Sequence, residues 1–359
     1  MKYFFLYNSI VTEKSYGRGS RMKSRKTTLQ QIADAANVSI ATVSRVLNNK
    51  DKVNPRTRDR ILKTMEELDF QPRSSSMISD TTSRIILLCV PEFNNPFNAP
   101  VIEGIQNSAH THGYDVLILQ SRDYYTDTSD YTNILRSTPI AGIIILASVP
   151  NAELLSNLLT RFPVVMCSEH VEGNCTPYVS IDNRAAARKA VNYLISIGCR
   201  RIGLVNSNLS FHYAREREQG YLEALEASNL TVNPSWIAHI STVDYSLAIS
   251  NALYILGQPN RPDAIFAVSD LYAISVIKAA SKLGIRVPED LSVIGFDNID
   301  LATMATPAIT TIDQPAFQIG FQSCELLMEK IENPSIEEKH ILLETELVVR
   351  ESTALPVHI

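Results

Sequence analysis

The chain has 359 residues, 45% of them hydrophobic and 20% charged, which allows a large buried core and is too long for one typical domain. Its five cysteines, Cys89, Cys167, Cys175, Cys199 and Cys324, include no Cys-x-x-Cys pair and no histidine at zinc spacing, so neither a disulfide framework nor a structural metal is implied and a reducing cytoplasm fits. The net charge of −5 conceals a division: residues 21–78 hold 12 Lys and Arg against 6 Asp and Glu, residues 79–359 hold 18 against 31, and only the basic head suits a polyanion.

In chain order, the opening run MKYFFLYNSIVTEK has an apolar part too short for a signal-peptide core and no small-residue cleavage site. Nothing later reaches about eighteen uninterrupted apolar residues, so neither export nor a membrane span is expected. Residues 1–26 read as a disordered N-terminal extension, with Met22 a more usual beginning. Thr28 and Gln31 then form a capping box, and Ile32, Ala35 and Ala36 supply one apolar face of a short helix. Asn37 and Val38 break it. Ser39 is a good N-cap for a second helix to about Asn48, with Val43, Val46 and Leu47 on one side and Ile40, Ala41, Ser44 and Arg45 on the other. A third helix starts at Asn54 and Pro55, with Ile61, Leu62, Met65 and Leu68 as its buried stripe and Arg56, Arg58 and Arg60 outside it.

Three short helices with one core and a small, Arg-ended free face read as a helix-turn-helix whose second helix enters the major groove of DNA. There Arg45 is placed to contact guanine O6 and N7 in bidentate fashion, and Ile40 and Ala41 to touch base edges or thymine methyls. Thr28, Thr42, Ser44, Asn48 and the amides at the helix starts are candidates to hold phosphates, and Ser39 and Arg56 are counted with them as DNA-binding residues.

The run from Thr27 to Pro72, above all VSIATVSRVLN, resembles the head of the lac-repressor (LacI/GalR) family of bacterial transcription regulators. The resemblance puts the family's base-reading positions on Ile40, Ala41 and Arg45. It makes residues 27–71 the DNA-binding domain and residues 72–83 a hinge linker. Many relatives push a Leu, seven residues after the Pro that ends the head, into the minor groove to kink DNA. Here that count lands on Ser79, and RSSSM is a poor helix-forming run. The linker is therefore expected to stay flexible, with Ile78 as the alternative wedge.

From Arg84 the chain alternates short apolar runs with helical stretches: RIILLCVP, DVLILQS, AGIIILAS, PVVMCS, YVSIDN, RRIGLVN, AIFAVSD and LSVIGFD. Alternating strands and helices predict parallel sheets covered on both faces, and some 270 residues suit two similar lobes. Ligands in such sheets sit at the carboxyl ends of strands. Those ends carry Asn94 to Phe97, Gln120, Ser121, Ser148, Ser168, Asn206, Ser269, Asp270 and Asp297.

The stretches GCRRIGLVN, AIFAVSDLYAISVIKAASKLGIRVPEDLSVIGFDNIDLATMATPAITTIDQP and ELVVREST resemble the same family's effector-binding body, related in fold to periplasmic sugar-binding proteins. The resemblance implies an effector-binding and dimerisation domain over residues 84–353, two lobes joined by three crossovers. Lobe one takes about 84–184 and 312–339, lobe two about 185–311 and 340–353, and residues 354–359 form a tail. It implies that Arg217, from R-x-x-G-Y, and Asp297, from GFDN, bind effector polar groups, that Phe97 stacks on the ligand and that Tyr245 supplies an aromatic wall. Ser168 and Asp270 complete the candidate effector set with Tyr213, a stacking partner for a base. PVVMCSEH, GFDNIDLA and ELVVRESTALP look closest to the cytidine-repressor branch, whose effectors are nucleosides, and a plain sugar fits nearly as well.

An enzyme on a doubly wound sheet is the rival reading. Strand one, however, leads to EFNNPFN and not to a glycine-rich phosphate loop, there is no G-x-S-x-G elbow, and the seven histidines form no cluster with Cys or carboxylates. A periplasmic solute-binding protein shares the body but lacks a basic head. The sequence thus points to a cytoplasmic repressor, without cofactor, that binds a pseudo-palindromic operator as a homodimer, with no leucine-heptad tail for tetramers.

Overall fold

The computed structural model describes residues 29–47, 53–68, 83–120, 134–135, 138–146, 152–171, 176–241, 244–334 and 339–353. The chain divides into two compact units, Met1–Ser79 and Asp80–Ile359. Thr28, Asn48, Ile78 and the expected N-terminal extension lie outside the described residues.

The first unit holds α1 (Leu29–Ala35), α2 (Ile40–Leu47) and α3 (Pro55–Glu67). Asn37 ends α1 at φ +49°, a left-handed conformation that Asn tolerates, and the Val38 amide donates back to the Ala33 carbonyl at 2.9 Å. Ser39 caps α2, its Oγ accepting from the Thr42 amide at 3.2 Å, and Asn54 caps α3 through the Arg56 amide at 3.0 Å. Ile32, Ala33, Ala36, Val43, Val46, Ile61 and Met65 form the core. Two expected positions fall elsewhere. Ala35 is exposed and Ala33 buried, because Ile32, Ala33 and Ala36 span one helical face and Ala35 lies past its edge. Leu62 and Leu68 are 49% and 36% exposed, since Ile61 and Met65, four residues apart, take the inward face of α3. Thr64 fills the remaining inward position, its hydroxyl bonded to the Arg60 carbonyl at 2.9 Å.

Among the described residues, the second unit holds two six-stranded sheets. The first has the order β11-β5-β4-β3-β1-β2, from β1 (Ile85–Val90), β2 (Asp115–Gln120), β3 (Gly142–Ile145), β4 (Val164–Cys167), β5 (Tyr178–Ile181) and β11 (His340–Leu343). The second has the order β12-β10-β9-β8-β6-β7, from β6 (Ile202–Ser207), β7 (Ile237–Ile240), β8 (Ala264–Ala267), β9 (Ser292–Asp297), β10 (Thr310–Asp313) and β12 (Glu346–Val348). Pairing is parallel throughout except between β10 and β12. Strands buried on both faces read as unbroken apolar runs, and all eight runs are strands, seven of them largely buried and β2 a half-buried edge strand. The runs do not mark β7, β10, β11 or β12. These are short, and buried β10 is TTID, whose Thr310 and Thr311 hydroxyls are hydrogen-bonded and so tolerate the interior.

The chain passes between the sheets three times: from β5 into α6 (Asn183–Ser196), from β10 into α11 (Ala316–Glu332), and from β11 into β12. The lobe limits differ from the expected ones at two places. Ile312 and Asp313 pair with β9 in the second sheet, and His340 to Leu343 pair with β5 in the first. Helix α11 packs on α4 (Asn98–Thr111) and on β3, β4 and β5. At that crossing Gly104 faces the Phe317 carbonyl and Gly320 the Val101 carbonyl, with no room for a Cβ on either.

Candidate functional site

In the first unit, α2 carries the residues expected to face DNA. Ile40 is 43% exposed although apolar, and Ser39 and Arg56 are exposed. Thr42 is half-buried and bonds the Ser39 hydroxyl at 2.9 Å. Ala41, Ser44 and Arg45 lie on the α2 backbone, and their side chains are outside the described residues.

In the second unit the strand ends of both sheets meet at a cleft of about 820 Å³, its open mouth included. Phe97, Ser168, Tyr213, Arg217, Tyr245 and Asp297 all line it, so six of the seven expected effector residues come together from both lobes. The exception is Asp270. It is fully buried, accepts from the Thr311 hydroxyl at 2.6 Å and the Ile299 amide at 2.9 Å, and lies against Gly295, so it ties β9 and β10 together beneath the cleft floor.

Arg217 comes from α7 (His212–Ala227) and is almost completely buried. Its Nε donates to Asn183 Oδ1 at 2.9 Å and its Nη1 to the Val268 carbonyl at 2.6 Å. The guanidinium lies 3.6 Å from the Phe296 ring centroid and 4.9 Å from that of Tyr213, a cation held between aromatic faces. Asp297 Oδ1 stands 3.7 Å from Arg217 Nη1 and accepts from Gln314 Nε2 at 2.6 Å. Burial holds the Asp297 carboxyl up at about 6, and the Arg217 charge opposes that rise. The backbone of Asp297 is at φ +112°, a strained conformation at the end of β9 that turns its carboxylate into the cleft. Asn298, next in the GFDN motif, donates to Asp313 Oδ1 at 2.9 Å and accepts from Arg350 Nη2 at 2.7 Å, which fixes that turn from β10 and from the C-terminal segment.

The reading by strand ends overlooked Glu92, Glu169, Ser207, Phe211, Leu271, Tyr272 and Gln314, which also line the cleft. Glu92 and Glu169 each follow a strand by two residues, Ser207 closes β6, and Gln314 follows β10, so the same rule reaches them once those strands are known. Glu92 Oε2 and Gln314 Oε1 are buried without a hydrogen-bond partner among the described residues, which makes them acceptors for donors on a ligand. The aromatic rings of Phe97, Phe211, Tyr213, Tyr245 and Tyr272 supply flat apolar surface beside these acceptors. Among the described residues no cluster of three His, Cys, Asp or Glu is placed to hold a metal ion, and no helix is long and apolar enough to cross a membrane.

Residues 28–73 match the bacterial regulatory proteins of the lacI family, and residues 191–353 match the periplasmic binding protein-like domain. The HTH-type transcriptional repressor CytR of Escherichia coli (strain K12) is 35% identical over 342 residues, which span 93% of this chain and 100% of the relative. The ribose operon repressor of Halalkalibacterium halodurans is 33% identical over 91% of this chain and 97% of its own. The solved complex of the transcriptional regulator CelR with cellobiose superimposes with a TM-score of 0.69 at 28% identity, covering 91% of this chain and 99% of that one. These relatives are named as repressors and regulators, not as enzymes.

Proposed function

The chain belongs to the lacI family of bacterial regulatory proteins, and from that membership we propose a homodimeric cytoplasmic repressor released from or held on its operator by a nucleoside or sugar bound in the cleft. The chain is a DNA-binding transcriptional regulator with an effector-binding type of body. One observation carries the effector reading: the buried Arg217–Asp297 pair, beside the acceptors Glu92 Oε2 and Gln314 Oε1. Vicinal hydroxyls suit this arrangement, because a planar guanidinium donates while the carboxylate and the two side-chain oxygens accept. Phe97, Tyr213 and Tyr245 are the stacking faces and Ser168 a further polar contact.

In the head, Ile40, Ala41 and Arg45 read base edges, while Thr28, Ser39, Thr42, Ser44, Asn48 and Arg56 hold phosphates. One such head buries little surface, so two heads on a pseudo-palindrome supply the affinity. Closing the lobes on an effector changes the arrangement of the linked heads, and each site thereby alters the other's affinity by the same factor.

The test has two parts. DNA sites are selected from a random library by the purified protein, and their binding is followed by fluorescence anisotropy while a panel of nucleosides, pentoses and hexoses is added. At least one compound is expected to raise the melting temperature and shift operator affinity tenfold or more. Selected sites bound no more than twofold better than random DNA would refute sequence-specific regulation, and a panel without any thermal shift would refute the effector class.

A further inference from the structure

Helix α7 begins without a cap of its own. Its N-cap is Phe211, whose side chain makes no capping hydrogen bond, so the first amides need an acceptor from elsewhere. That acceptor comes from the other lobe. Glu169 Oε2 accepts from the His212 amide at 3.0 Å and Oε1 from the Tyr213 amide at 3.1 Å, although Glu169 follows β4 of the first sheet and α7 packs on β6 of the second. A carboxylate at a helix N-terminus is favoured both by the free amides and by the helix dipole.

The backbone is built to deliver it. Ser168 sits at φ +64°, a left-handed conformation costly for a residue with a Cβ. It is held there by its amide donating to the Val179 carbonyl at 2.8 Å and its carbonyl accepting from Ser180 Oγ at 2.9 Å. Beside Glu169, a column of rings crosses between the lobes. His340 stacks on Tyr178 at 4.2 Å, Tyr178 on His170 at 4.2 Å, and His170 meets the His212 ring at 3.9 Å.

We infer that Glu169 is an interlobe clasp, which caps α7 from the opposite lobe and positions Tyr213 and Arg217 in the cleft. The inference rests on the two-lobed body and not on the identity of any effector. Burial pushes the Glu169 carboxyl up to about 7, against the His212 and Tyr213 amides and the charges of Arg217 and Arg215. The other ionisable groups around it are His170 on its own loop, His212 on α7, and Glu92 and Asp297 lining the same cleft.

Hydrogen exchange of the full chain reads the clasp directly at the His212 and Tyr213 amides, after correction for intrinsic exchange rates. Glu169→Ala should lower their protection about tenfold or more, because both amides lose their acceptor, while amides in the middle of α7 change less than twofold. Glu169→Gln keeps one acceptor oxygen and should lose protection at only one of the two amides. Undiminished protection in Glu169→Ala overturns the proposal, and so does an equal loss along the whole of α7, which would mark a general loss of stability.

Discussion

Arg45 and the pair Asp270 and Asp297 show how residues of one type come to different tasks. Arg45 stands on α2 six residues after the Ser39 cap, on the helix proposed to enter the groove. Arg45→Ala is expected to cost about 1–3 kcal/mol on a selected site and almost nothing on random DNA, measured by anisotropy on both, because a bidentate base contact carries discrimination. Equal losses on the two would assign Arg45 to phosphate. The two aspartates differ by depth. Asp297 lines the cleft as the counter-charge of buried Arg217. Asp297→Asn strands that guanidinium and should lower stability in urea by about 3 kcal/mol, as well as abolish the response to the effector. Asp270 lies under the floor, its carboxyl pushed up by burial and by the charge of Asp297. An acid raised above its ordinary value of 3.8 favours the fold at low pH and loses that contribution as pH rises toward about 8. Asp270→Asn should therefore retain effector binding and flatten the decline of the urea midpoint between pH 5 and pH 8. Loss of effector binding in this variant would return Asp270 to the site.

Helices and strands here are shaped as much by what they must approach as by their own propensities. The R-x-x-G-Y run of α7 serves three neighbours at once: Arg217 reaches the cleft, Gly220 lets the α6 backbone at Arg184 come close, and the Tyr221 hydroxyl donates to the Ile202 carbonyl at 2.8 Å. The α4–α11 crossing makes the same demand more severely. Gly320→Ala places a methyl where the Val101 carbonyl stands, so two long helices must separate or shift. A loss of about 1–3 kcal/mol in urea is expected, with DNA binding by the head retained when that unit remains folded. A midpoint within 0.2 M of the parent, taken as roughly the resolution of such curves, would show that the crossing is looser than drawn.

Charge and connectivity act across the full length of the chain. The head is basic and the body acidic, so nearly all electrostatic attraction for DNA resides in residues 21–78. In the proposed regulator, coupling between effector and DNA passes through residues 72–83, a polar run in which Met77 and Ile78 are the only large apolar side chains. A segment with so few groups to bury gains little from folding on DNA. With the linker flexible, inserting two base pairs between half-sites, or changing Ile78 to Ala, is each expected to weaken operator binding less than about fivefold, because no wedge would then fix the spacing. Hundredfold losses from both changes in a gel shift would establish an ordered hinge with Ile78 inserted.

Local rules were enough for the helix-turn-helix, because Asn37, Ser39, Asn54 and Pro55 each act on the two or three residues beside them and α2 and α3 follow directly. The same holds for the strands marked by apolar runs, seven of them largely buried and β2 a half-buried edge strand, where continuous apolar character is itself the signal. Periodicity misplaced Ala35, Leu62 and Leu68, since which edge of a helical face is covered depends on the neighbouring helix. Arg217 was legible only through motif resemblance, whereas Asp297 was also reached as a strand end; 80 residues apart, nothing local to either declares that they meet at 3.7 Å. Tertiary structure alone decided that Asp270 lies beneath the cleft, that β11 returns to the first sheet, and that Glu169 caps a helix of the opposite lobe. Each of those contacts joins segments distant in sequence, and its energy exists only once both sheets are folded and their strand ends face one another.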